Sequence, residues 1–147
     1  MRSPIYPDPR ADEGDHEFVY AIYPHCGTWR NGTVRAAQEL HYPLRHSIGD
    51  PSALHPSLFR LRGDPLELAC LKRAEDSDDV LVRLYEPNGD RGQSILESAP
   101  RLERACMVNI LEEQLEELRI EESRRVTVSF TPFQVISLRL SLARQTV

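Results

Sequence analysis

The second half of this chain is a succession of short β-rich runs separated by turn residues, and that spacing constrains the fold more than any other feature. The runs are Leu66 to Lys72, Val80 to Glu86, Arg91 to Glu97, Val126 to Phe130 and Gln134 to Leu140. In Val80 to Glu86 the residues Val80, Val82 and Leu84 face one way, and Leu81, Arg83 and Tyr85 the other. The acidic tip Glu75-Asp76-Ser77-Asp78-Asp79 turns the chain after the first run. Asn88-Gly89 predicts a hairpin between the second run and the third, and Thr131-Pro132 separates the last two. Turns about every eight to twelve residues, without alternating long helices, predict an all-β fold: an antiparallel β-sandwich with one short helix and long loops.

Arg101 to Glu121 carries two patterns at once. Leu102, Arg104 and Cys106 alternate as in a strand, whereas Val108, Leu111, Leu115 and Leu118 repeat at helical spacing. A strand over Arg101 to Val108, then turns, then a short strand near Leu118 to Glu121 is one reading; on propensity alone a helix over Leu111 to Leu118 stays open.

The first half has one strongly β-rich run, His16-Glu17-Phe18-Val19-Tyr20-Ala21-Ile22-Tyr23-Pro24-His25. Phe18, Tyr20 and Ile22 share one face, and Glu17, Val19, Ala21 and Tyr23 the other, so the run predicts a core strand covered on both sides and ended by Pro24. Residues 1–15 form an extended segment punctuated by Pro4, Pro7 and Pro9, with an acidic turn at Asp12 to Asp15. Thr33 to Leu40 predicts a short helix capped by Thr33, with Val34, Ala37 and Leu40 on one face and Pro43 as its stop. His46 to Pro65 is rich in Gly and Pro and reads as a loop, with a short strand at Leu58 to Leu61. A length of 147 residues suits a single domain, 1–147.

Composition narrows the setting. Hydrophobic residues make up 40% and charged residues 28%, a soluble and globular balance. A net charge of −5 argues against a nucleic-acid partner, which would need a concentrated basic surface. Cys26, Cys70 and Cys106 lack paired spacing, so a reducing compartment is expected. The opening residues hold no apolar signal core and no run approaches a membrane span, so the expected location is cytoplasmic, with no membrane partner.

No motif supplies catalysis. His16, His25, His41, His46 and His55 lack zinc-motif spacing, and no Cys-x-x-Cys, nucleophile elbow or phosphate loop occurs. Cys26 follows His25 directly, but sequence neighbours on a turn do not make a nucleophile–base pair without an orienting third group. Glu75 to Asp79 lacks the glycine and terminal glutamate of an EF-hand loop, and Glu112, Glu113, Glu116 and Glu117 read as a solvated acidic face. No catalytic residue and no metal ligand is expected in this chain.

The run from His16 to His25, followed by Gly27 and Trp29, resembles the C-terminal β-domain of glycoside hydrolase family 38 α-mannosidases. Arg2-Ser3-Pro4-Ile5-Tyr6-Pro7-Asp8 is similar to the segment preceding that strand in the family, and Leu71 to Asp76 with Leu81 to Glu86 resembles the family's hairpin. Asn109 to Glu112 and Phe130 to Val135 complete the likeness, whose ending looks most like the cytosolic branch.

The resemblance implies a β-sandwich from the accessory half of a larger retaining glycosidase, and favours strand over helix around Arg101 to Val108. The family's catalytic zinc and aspartate nucleophile belong to an N-terminal α/β domain that no stretch here matches, so no cofactor is expected on this chain. Met1 stands where the family continues upstream, and the chain reads as a truncated or split-gene product. The expected partner is the catalytic half of an α-mannosidase, or a second copy meeting an exposed apolar face. Arg2, Tyr6 and Asp8 are the candidate substrate-binding residues, placed toward a sugar cleft. The alternative is a stand-alone carbohydrate-binding or protein-interaction module using Tyr20, Tyr23 and Trp29.

Overall fold

The alternating runs of the second half become strands, and their shared apolar parity packs two sheets face to face. A computed structural model describes residues 13–42, 44, 46, 48–49, 57–63 and 66–143. Contacts gather into two units, Met1–Pro43 and Leu44–Val147.

The second unit holds nine strands among the described residues: β1 (Phe59–Gly63), β2 (Glu67–Arg73), β3 (Val80–Tyr85), β4 (Gly92–Ser98), β5 (Leu102–Val108), β6 (Gln114–Glu117), β7 (Ile120–Glu121), β8 (Arg125–Phe130) and β9 (Val135–Leu142). They form a four-stranded sheet, β1-β4-β8-β7, and a five-stranded sheet, β2-β3-β9-β5-β6. All pairings are antiparallel. This is the expected antiparallel sandwich.

The core lies between the sheets. Val82 and Leu84 of β3 and Ile136, Leu138 and Leu140 of β9 face Leu96 of β4 and Val126, Val128 and Phe130 of β8, all at most 2% exposed. The opposite parity of the five-stranded sheet carries a smaller cluster, Leu81, Cys106 and Val108. A register shift between Leu102 and Arg104 explains the mixed pattern of β5. Leu102 and Ala105 join the main core, whereas Cys106 and Val108 join the outer cluster. One extra residue inverts the parity of everything after it.

One expectation fails here and one open alternative closes, each for an identifiable reason. Asn88-Gly89 does not join a hairpin: β3 pairs with β2 and β9, while β4 pairs with β1 and β8, so this turn carries the chain from one sheet to the other. The helix over Leu111 to Leu118 gives way to β6, with Leu111 and Leu115 exposed. A tight hairpin turn joins β7 to β8 through Glu122, Ser123 and Arg124, with φ of 51° and 59° at Glu122 and Ser123 and a 3.0 Å bond from Arg124 N–H to the Glu121 carbonyl. Positive φ at both central residues is the type I′ pattern, here without the usual Asn-Gly.

In the first unit, α1 (Thr33–His41) forms as expected, but Thr33 is its first helical residue and not its cap. Gly32 takes the cap position with φ 88°, and no side chain caps the helix. The predicted core strand is overturned more fully. No residue from His16 to His25 belongs to a strand, and Phe18, Val19, Tyr20 and Ile22 are 62–88% exposed. His16 stacks on Phe18 with ring centres 6.1 Å apart, and Tyr23 on His25 at 5.4 Å. The extended reading of residues 1–12, the residue His55 and parts of the His46 to Pro65 loop lie outside the described residues.

Leu138→Ala should cost roughly 2–5 kcal/mol in urea unfolding, because it opens a void at the centre of β9. Ser123→Gly should gain roughly 0.5–1 kcal/mol, because glycine adopts positive φ without the penalty of a Cβ. Equal midpoints for Ser123→Gly and wild type would show that this turn is not strained.

Candidate functional site

The most buried carboxylate among the described residues is Glu86, 2% exposed just after β3. One oxygen accepts the Asn88 N–H at 2.7 Å; the other accepts Gly89 N–H at 2.7 Å and Phe133 N–H at 2.9 Å. The Glu86 N–H donates to the Gln134 carbonyl at 3.0 Å. Burial alone would push this carboxyl up, but the backbone N–H groups of Phe133, Asn88, Asp90 and Gly89 together hold it below the ordinary glutamate range. Gly89 has φ 77°, and a Cβ there would meet the Phe133 ring at 2.7 Å. Phe133 has φ 57° in the turn Thr131-Pro132-Phe133-Gln134, closed by a 3.2 Å bond from Gln134 N–H to the Thr131 carbonyl. Proline followed by a residue with positive φ is the pattern of a type II turn. Glu86 is therefore a structural tie between two loops.

The second buried carboxylate, Glu112, is 7% exposed and has φ 66°. It meets Lys72 Nζ at 2.7 Å and accepts the Glu75 N–H at 3.0 Å, while Arg139 Nη2 donates to its carbonyl at 2.7 Å. The same arginine approaches Asp76 at 3.3 Å, and Lys72 also pairs with Glu75. The hydrogen bond from Lys72, helped by the Glu75 N–H, holds the Glu112 carboxyl low; the Glu112 and Glu75 carboxylates hold the Lys72 ammonium high. A cleft of about 320 Å³ lies beside this cluster, lined by Lys72, Glu75, Arg83, Ile110, Leu111 and Glu112. The acidic tip is thus spent on ion pairs within the fold, including Arg73 with Asp78. Glu97 is likewise held low, first by Arg62 at 2.6 Å, with Arg125 at 3.0 Å on its other oxygen.

Glu86, Glu97 and Glu112 are all lowered, the wrong direction for a general acid, which must keep its proton near neutral pH. Burial pushes the Cys106 thiol up, which makes it a poor nucleophile. His25 contacts the Thr33 hydroxyl at 3.3 Å and the Cys26 carbonyl at 3.4 Å, so its partners are structural and not the Cys26 thiol. Among the described residues no group of three or more His, Cys, Asp or Glu could hold a metal ion, so these residues do not fit a zinc site. No described helix is long and apolar enough to cross a membrane.

The feature suited to binding is apolar. A cleft of about 210 Å³ opens between the sheets, lined by Leu58, Phe59 and Leu61 on one side and by Leu68 and Leu71 on the other, with Leu84 among the residues behind. Leu68 and Leu71 are 47% and 45% exposed. Strand β2 is half-buried, so its alternation marked it in the sequence without revealing that its apolar residues stay partly open. Arg2, Tyr6 and Asp8 lie outside the described residues.

A sandwich of this topology, with its carboxylates engaged in holding loops, agrees with the family comparison. Residues 66–138 match the glycosyl hydrolases family 38 C-terminal beta sandwich domain. The chain belongs to this family. The family 38 match runs from the residue before β2 into β9, and takes in both loops tied by Glu86. The chain is 34% identical to human alpha-mannosidase 2C1 over 97% of its own length and 14% of that protein's. It is 30% identical to the alpha-mannosidase of Saccharomyces cerevisiae over 95% of its length and 15% of the relative's. Alpha-mannosidase G of Dictyostelium discoideum is 29% identical over 60% of the chain and 9% of the relative. The chain therefore spans about one-seventh of the length of the first two relatives.

Glu86→Ala should cost roughly 2–4 kcal/mol, because it strands several backbone donors at once. A carboxyl lowered by folding contributes stability above its unfolded value, and that contribution fades as pH falls through the folded value. The stability advantage of wild type over Glu86→Gln should accordingly be full at pH 6 and shrink below the ordinary glutamate value of 4.5. An advantage that is independent of pH in urea titrations would contradict the ionised tie.

Proposed function

We propose that this chain acts as the C-terminal accessory domain of an α-mannosidase, within an enzyme that removes terminal α-D-mannose residues in glycan catabolism, and that it is inactive by itself. The observation that carries this reading is the family 38 C-terminal match over residues 66–138, in a chain aligned along 97% of its length to a relative seven times longer. A retaining glycosidase needs one carboxyl held protonated and another free to attack. Here the buried carboxyls are ionised and bound to backbone donors or to cations. The catalytic zinc and nucleophile of the assembled enzyme reside in the remaining polypeptide. In this reading Arg2, Tyr6 and Asp8 lie along the sugar cleft and bond its hydroxyls. The apolar rim formed by Leu68 and Leu71 packs on the catalytic half. The free thiols Cys26, Cys70 and Cys106 suit a cytoplasmic setting.

A second reading, a stand-alone carbohydrate-binding module, draws on the exposure of Tyr20 (87%), Tyr23 (51%) and Trp29 (45%). Arg30 lies 5.6 Å from the centre of the Trp29 ring, which gives that site a polar edge. Titration of Trp29 fluorescence with mannobiose separates the two readings, and the accessory-domain reading expects no saturable change.

Homogeneous protein should show no hydrolysis of an aryl α-mannoside, with or without added zinc. Turnover that follows the chain through purification and depends on zinc would overturn the proposal.

A further inference from the structure

The two outer faces of the sandwich differ. On the four-stranded sheet the outward groups satisfy one another: Glu97 takes both Arg62 and Arg125, and the Gln93 amide donates to the Ser129 hydroxyl at 3.1 Å. On the five-stranded sheet, half of the outer face is closed by the fold itself. Lys72, Leu81 and Arg139 lie side by side in register. Glu112 bonds the two cations across Leu81, which is fully buried.

The other half of that face is open. Glu67, Tyr85 and Val135 form one cross-strand row there, and Cys70, Arg83 and Ser137 the next. Val135 is 61% exposed, and Phe133, two residues before it, 66%. Ile110 and Leu111, which share a cleft with Arg83, are 77% and 75% exposed. Two charges are set in this apolar patch. The Ser137 hydroxyl holds Arg83 Nε at 3.0 Å, and among the described residues no carboxylate pairs with the guanidinium. No described cation pairs with Glu67. The two charges lie one row apart on the same face and do not pair with each other.

We propose that two copies of this chain pack face to face through this open half, with Arg83 of each copy against the partner's Glu67. A twofold contact presents the same patch from both sides, so it is stable only where the patch complements itself. This patch does. Rotation about an axis between Arg83 and Glu67 brings each cation onto the carboxylate of the other copy, and both ion pairs form at once. Val135, Phe133, Ile110 and Leu111 supply apolar area around them. An arginine and a tyrosine among apolar side chains is the composition of an interface centre. Leu68 and Leu71 have the opposite parity, so the contact leaves the apolar cleft between the sheets free. The dimer goes beyond the accessory-domain reading and does not depend on it.

Sedimentation equilibrium of the full chain reads the contact. Wild type should be a dimer. Arg83→Glu and Glu67→Arg should each weaken it at least about tenfold with thermal melting retained, because each sets like charges against one another twice. An equimolar mixture of the two variants should recover a dimer of one copy of each, since every pair is then opposite again. Val135→Asp should weaken the dimer to a similar degree. That position is exposed, so it keeps the face testable if Arg83→Glu melts early. A wild-type monomer at every soluble concentration would overturn the dimer and leave the accessory-domain reading standing. A dimer that survives Val135→Asp and both reversals forms elsewhere, which overturns the face. Dimers lost in both reversals and not recovered on mixing would overturn the reciprocal pairing.

Discussion

The Glu86 carboxylate holds together two of the places where the chain changes sheets. β3 belongs to one sheet and β4 to the other, and β8 and β9 are divided in the same way. Tyr85 pairs with Val135 and Gly92 with Phe130, so both passages lie at one end of the sandwich. Glu86 accepts N–H groups from both loops, and Gly89 packs against the Phe133 ring between them. An ionised carboxylate is worth burying here because its lone pairs meet donors that would otherwise be stranded. Once both loops are fixed, the apolar rows of β3, β9, β4 and β8 face one another.

The same logic governs the other buried acid. Glu112 sits at positive φ, where a non-glycine residue is unfavourable, and its bonds to Lys72, Glu75 and Arg139 offset that cost. These acids join loops to strands, and none has the raised proton affinity that glycoside hydrolysis asks of an acid. The functional proposal follows from how the polar groups are spent as much as from the family match.

Much of the sandwich was legible because a half-buried strand writes its parity into the sequence. Val80 to Glu86 and Gln134 to Leu140 are clear cases. What misled was local chemistry that only tertiary structure resolves. Asn88-Gly89 is the usual hairpin pair, yet here Glu86 bonds both of their N–H groups and directs the chain to the other sheet. The tight turn between β7 and β8 instead has positive φ at Glu122 and Ser123, supported by the Arg125–Glu122 ion pair at 2.9 Å, and no dipeptide preference announces it. The bulge in β5 blurred the distinction between strand and helix by shifting parity within one strand. Glu86 itself looked like an ordinary strand-end acid, since its donors come from residues 47 positions apart as well as from its neighbours. The segment from His16 to His25 has a strand's alternation in the sequence, yet none of it forms a strand and all of it is exposed.

Site-resolved hydrogen exchange on the chain tests the account most directly, because it reads the two loops tied by Glu86 against the strands they join. The account predicts slow exchange, close to that of global unfolding, for amides of β3, β8 and β9, and for the Asn88, Gly89 and Phe133 N–H groups bound to Glu86. It predicts near-unprotected exchange across Phe18 to Tyr23. Fast exchange at Asn88, Gly89 and Phe133 beside slow exchange in β3 and β9 would contradict the account, since Glu86 would then not hold the two loops.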